Sequence, residues 1–151
     1  MAWKKWADVS SQRLSTVLRQ TLVLGILLML LGILAYQAVP RSPEIAPETL
    51  LSQLDNQEAP LILDVRSEAE YNKGHIPGAI HISHRDLPDR LEELAAFKAQ
   101  PVILYCEAGV RAGIAETTLV DAGFQQVIHL AGDMQEWRRR EFPVESRSAI
   151  P

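Results

Sequence analysis

The sequence predicts an α/β fold in which a central parallel sheet of about five strands is flanked by helices. Four short runs, LILDV (61–65), AIHI (79–82), PVILYC (101–106) and QVIHL (126–130), are almost continuously apolar, as strands are when both faces of their sheet are covered. Segments of helical spacing lie between these runs, and that alternation is the pattern of a parallel sheet. Helix start and stop residues mark the joints.

Taken in order, PETLLSQLDNQ (47–57) opens with Pro47, suited to the first helical position. SEAEYNKG (67–74) carries Ser67 with Glu70 three residues on, a capping box, and closes at Gly74. In DLPDRLEELAAF (86–97), Leu87, Leu91 and Leu94 fall at i, i+4 and i+7, an amphipathic helix with Pro88 in its first turn. GIAETTLVDAG (113–123) is a helix closed by Gly123, and DMQEWRRR (133–140) is a last helix packed through Trp137. Its terminal cluster Arg138, Arg139 and Arg140 complements the helix dipole.

These elements leave the front of the chain unused. Residues 1–20 form a basic segment, and residues 21–39, TLVLGILLMLLGILAYQAV, hold no charge, about the length a helix needs to span a ~30 Å hydrocarbon core. A transmembrane helix is therefore expected at 21–39. A cleaved signal peptide is disfavoured by the twenty-residue front and by the bulky Tyr36 three positions before a cut after Ala38. Lys4, Lys5, Arg13 and Arg19 precede the segment and Arg41 follows it closely, which keeps the N-terminus cytoplasmic. The expectation is a single-pass membrane protein with its folded domain on the outer, periplasmic or lumenal, side. Pro40, Pro43 and Pro47 mark a linker at 40–46, the domain occupies 44–146, and 147–151 is a tail.

The whole chain carries 15 Lys and Arg against 19 Asp and Glu, and residues 42–151 carry 10 against 18, a net charge of minus eight. Such a surface excludes nucleic acid as a partner. One cysteine excludes an internal disulfide, and His81, His84 and His129 do not fall at metal-ligand spacing, so no metal is expected.

That cysteine, Cys106, ends the run PVILYC and is followed by Glu107, Ala108, Gly109, Val110 and Arg111. In a parallel sheet this is a strand's carboxyl end, where ligands bind. The N–H groups of the following helix start have no intrahelical partner, so they can stabilise negative charge on or near the sulfur. Arg111 adds a fixed cation, and Gly109 lets the backbone turn.

Three stretches now carry a family resemblance: LDVRSEAEYNKGHIPGA (63–79), CEAGVR (106–111) and GFQQVIHLAGDMQEW (123–137). Together they resemble a single rhodanese domain over about residues 44–144, the fold of sulfurtransferases that carry sulfur as a cysteine persulfide. The resemblance implies that Cys106 takes a sulfane sulfur and that the backbone of Glu107, Ala108, Gly109, Val110 and Arg111 cradles it. It implies that Arg111 binds the substrate anion or a loop carbonyl, and that Asp64, Arg66 and Glu70 form a buried charge network beneath the loop. His75 would sit at a turn with its ring satisfying backbone groups. No cofactor is implied. The donor would be thiosulfate, mercaptopyruvate or a polysulfide, and the acceptor an external thiol or other nucleophile.

Two positions depart from the family pattern. Glu107 places a negative charge next to the cysteine and should weaken binding of a dianion such as thiosulfate. Ala131-Gly132-Asp133 stands where two glycines are frequent, with only a local change in turn geometry expected. Two other functions share the architecture. A phosphatase or arsenate reductase of related fold has five residues between Cys and Arg against the four here, and a rhodanese-like domain can also serve as a protein-interaction module without turnover.

Overall fold

In a computed structural model the chain divides into two units, Met1–Arg41 and Ser42–Pro151, and residues 19–32 and 42–147 are described. In the first unit, residues 19–32 are helical with their apolar side chains exposed. Among the described residues no helix is long and apolar enough to cross a membrane. The helical run has 14 residues, short of the about 20 that a span requires. The transmembrane helix expected at 21–39 is therefore not found in the described part. Residues 33–39 of that stretch, and residues 1–18, lie outside the described residues.

The second unit is built on five parallel strands in the order β1-β5-β4-β2-β3. In chain order these are β1 (Glu44–Ile45), β2 (Leu61–Asp64), β3 (Ile80–His81), β4 (Pro101–Tyr105) and β5 (Gln126–Leu130). The helices are α1 (Pro47–Asp55), α2 (Glu68–Lys73), α3 (Val110–Asp121) and α4 (Asp133–Arg139). β1 falls inside the stretch expected to be linker. It is tied to β5 by the His129 N–H on the Pro43 carbonyl and the Ala131 N–H on the Ile45 carbonyl, each at 2.9 Å.

A second correction concerns the amphipathic helix expected at 86–97. Leu87–Phe97 is a succession of 3₁₀ turns. Leu87 and Leu94 are fully buried and Leu91 half-buried, so packing at these leucines holds the segment although 3₁₀ bonding is poorer than α. Asp89, Glu92 and Glu93 remain outside.

Both faces of the sheet are covered, and side chains alternate between them with the period of a strand. From β4 and its continuation, Val102, Leu104 and Cys106 join Ala112, Ala115 and Leu119 of α3 and the leucines of the 3₁₀ segment. Ile103 and Tyr105 face the other way, with Leu50 of α1 and Met134 and Trp137 of α4. The sulfur is thus the last member of an apolar row. Trp137 is fully buried, donates its indole N–H to the Pro143 carbonyl at 2.8 Å and meets Phe142 edge to face. Trp137→Ala is expected to destabilise the fold by about 3–5 kcal/mol, read from the urea midpoint of the circular dichroism signal.

Candidate active site

Because β4 lies between β2 and β5, three chain segments meet at its carboxyl end: the turn after β2, the loop from Cys106 to Arg111, and the turn from β5 into α4. Cys106 is 1% exposed. Its sulfur accepts the Gly109 N–H at 3.1 Å. Gly109 has φ +93°, a region that a Cβ strongly disfavours, and a Cβ there would meet Asp133 Oδ2 at 3.4 Å. The Gly109 carbonyl then accepts the Gly113 N–H at 2.9 Å as α3 begins. One backbone donor of the expected cradle therefore reaches the sulfur directly. Ala108 and Val110 are exposed at the rim.

The loop is pinned from below by the start of α4. The Met134 and Gln135 N–H groups donate to the Cys106 and Glu107 carbonyls, both at 3.1 Å, and the Cys106 N–H donates to Asp133 Oδ1 at 2.7 Å. Asp133 is 4% exposed, holds φ +54°, and takes His129 Nε2 on its other oxygen at 3.1 Å. Asp133 and His129 are the functional neighbours that sequence reasoning missed. The departure at Gly132-Asp133 was the available signal, and the consequence is more than a local turn: the carboxylate accepts the cysteine's own N–H.

Arg111 lies with both terminal nitrogens on Glu70, at 2.6 and 2.8 Å. The same carboxylate takes the Ser67 N–H at 3.0 Å and its hydroxyl, completing the capping box of α2. Arg111's hydrogen bonds hold the Glu70 carboxyl well below the usual carboxylate range, against partial desolvation and with help from Ser67. Glu70 in turn raises Arg111, with the Cys106 sulfur contributing. Arg111, expected on the substrate anion or a loop carbonyl, here has its fork on Glu70.

Glu70 is also separate from the Asp64–Arg66 pair with which it was grouped. Asp64 and Arg66 are buried together, with the Arg66 N–H, Nε and NH2 on the carboxylate at 2.9, 3.0 and 2.6 Å. NH2 also donates to the Gly74 carbonyl at 2.8 Å, which fixes the end of α2 to the end of β2. Burial opposes the charge on Arg66, but Asp64's hydrogen bonds and charge outweigh it and raise its pKa. Removing one partner of such a pair strands a buried charge.

Glu107 pairs with Arg138, with Arg66 NH1 at 3.6 Å from its other oxygen. Its charge is met by these two cations, so the repulsion of a dianion expected from Glu107 is weakened. His75 is buried, stacks on Tyr71 at 3.7 Å and donates from Nδ1 to the Tyr71 carbonyl at 2.9 Å. It also exchanges backbone hydrogen bonds with Glu145, so it stands as a structural post.

The sequence pattern of rhodanese-like domains matches residues 46–140. The chain belongs to the rhodanese-like family. A protein of Allochromatium vinosum named sulfurtransferase is 33% identical over 101 residues, which cover 67% of this chain and 92% of that one. The Bacillus subtilis protein YrkF, named as a sulfur carrier, is 36% identical over 95 residues, 63% of this chain. Of YrkF's own length only 50% is spanned. The solution structure of a rhodanese-like domain from an Anabaena protein superposes with a TM-score of 0.62 at 30% identity, covering 74% of this chain and 85% of that one. The rhodanese-like fold thus accounts for the five-stranded sheet, and the family includes proteins named sulfurtransferase.

Because the folded Glu70 pKa lies below its unfolded value, its contribution to stability is full above about pH 4.3 and disappears as pH falls through the folded value. Glu70→Gln is expected to lower stability by about 1 kcal/mol at pH 7. That difference should shrink toward zero in urea titrations repeated at progressively lower pH below about 4.

Proposed function

We propose that this rhodanese-like protein is a sulfurtransferase in which Cys106 carries sulfane sulfur as a persulfide. The observation that carries the reading is the Gly109 N–H aimed at the sulfur of the one cysteine at 3.1 Å, at a strand's carboxyl end. An N–H donor stabilises negative charge on sulfur, which both the attacking thiolate and the persulfide bear. Names of relatives as sulfurtransferase and sulfur carrier support the same chemistry.

The reaction has two displacements. The Cys106 thiolate attacks the outer sulfur of the donor, an S–S bond forms, and the donor's remainder leaves with the electron pair of the broken bond. A thiol or other nucleophile then attacks the outer sulfur of the persulfide and Cys106 departs as thiolate. The backbone from Glu107 to Arg111 surrounds the transferred sulfur, and Arg111, held by Glu70, supplies a positive edge to the site. Asp64, Arg66 and His75 act as supports. With one cysteine, the acceptor is a separate molecule.

Intact-mass measurement of the protein with thiosulfate, mercaptopyruvate or polysulfide should show a gain of one sulfur atom with at least one donor, and no gain in Cys106→Ser. No gain with any donor would turn the reading toward an interaction module.

The uncharged stretch 21–39 supports a second part of the proposal, that the domain is tethered to a membrane with the N-terminus in the cytoplasm and the domain on the outer side. Protease added to intact spheroplasts should then cut the 40–46 linker; cutting only after lysis places the domain in the cytoplasm.

A further inference from the structure

We propose that Asp133 is a positioning residue that sets the charge beneath the sulfur site, with His129 as its proton-dependent counter-charge, so that the site discriminates against anionic sulfur donors. Asp133 is 4% exposed, and a carboxylate buried to that degree needs compensation. One oxygen takes the Cys106 N–H at 2.7 Å, and the other faces the Gly109 turn and takes His129 Nε2 at 3.1 Å. Among the described residues His129 is the only side chain that forms an ion pair with Asp133. The backbone at Asp133 has φ +54°, a region in which Asp and Asn are tolerated better than most residues.

When His129 is protonated the pair is neutral. When His129 loses its proton, the Asp133 charge stands uncompensated against the backbone of the cysteine itself. An anion approaching the sulfur then meets repulsion that a neutral molecule of the same size does not. Asp133's hydrogen bond raises the His129 pKa against desolvation, and the charges of Asp133, Glu116 on α3 and Glu44 on β1 add to it. The imidazolium therefore persists above its ordinary value of about 6.5. The remaining charged groups around the loop are already paired, Arg111 with Glu70 and Glu107 with Arg138 and Arg66. Carboxylates and guanidinium groups ordinarily titrate outside the range of imidazole.

This inference rests on Cys106 being the reacting sulfur, and its test does not require that any donor load it. In the 151-residue chain, with its single cysteine, Cys106 is alkylated with anionic iodoacetate and with neutral iodoacetamide, reagents of similar size. The ratio of the two rates is followed across the imidazole range. Access and thiol ionisation affect both rates alike and cancel in the ratio. In the wild type the ratio should fall about fivefold as pH rises through the His129 titration. Asp133→Asn, which retains an acceptor for the Cys106 N–H, should raise the ratio about fivefold at the alkaline end. His129→Gln should hold the ratio at the wild type's alkaline level with no step.

A structural role alone would change both rates together and leave the ratio unmoved. An Asp133→Asn ratio equal to wild type at every pH overturns the proposal. If that variant does not fold, a pH step that survives in His129→Gln overturns it instead. A chain that takes sulfur from no donor yet shows these ratio changes would refute the sulfurtransferase reading and leave standing the charge control of Cys106 by Asp133 and His129, with anionic reagents in general disfavoured.

Discussion

Covering both faces of a parallel sheet leaves its polar chemistry one place to go. In this domain β2 and β4 send apolar side chains to both sides, and a buried charge in those layers would carry a large desolvation penalty. Asp64, Arg66, Cys106 and Asp133 accordingly gather at the carboxyl ends of the strands or just beyond them. Cys106 is reached by continuing the apolar alternation of β4 one residue further, so the packing that buries Val102 and Leu104 also aims the sulfur.

The site is then held by four ion pairs, two of which are linked where Arg66 also reaches Glu107. Asp64 binds Arg66, Glu70 binds Arg111, Glu107 binds Arg138, and Asp133 binds His129. Two of the four, Glu70–Arg111 and Glu107–Arg138, join different chain segments, so helices α2, α3 and α4 are tied around one short loop. The buried Asp64–Arg66 pair is the least dispensable because loss of either partner strands a charge away from water. The Glu70–Arg111 and Glu107–Arg138 pairs are partly solvated and contribute mainly by fixing orientation, while Asp133 is buried and His129 half-buried.

Much of this was legible from the sequence. The apolar runs marked four strands within a residue or two, and the spacing of Ser67 and Glu70 gave a capping box whose two reciprocal bonds are present. The loop from Cys106 to Arg111 stood out because a cysteine, a glycine and an arginine follow an apolar run at close spacing, and the Gly109 turn does bring a backbone N–H to the sulfur. Strand β1 escaped notice because two residues among prolines show no periodicity. The 3₁₀ segment escaped because leucines at i, i+4 and i+7 equally describe an α-helix. Partnerships were the least legible: Arg111 finds Glu70 across 41 positions and Asp133 finds Cys106 across 27. No local rule encodes which of several acids meets which base.

Strand β1 has a mechanical consequence. It is the first element of the second unit, only two residues long, and it sits at the sheet's edge beside β5, with Glu44 opposite His129. Tension arriving along the chain from its N-terminal side is delivered there before it reaches the centre of the sheet. An edge with so few hydrogen bonds opens at low cost while the interior strands stay paired. Peeling it away would carry Glu44 from His129 and leave β5 exposed along one side, so a pull on the chain ahead of β1 is felt beside Asp133 and the Cys106 loop before the fold itself gives way.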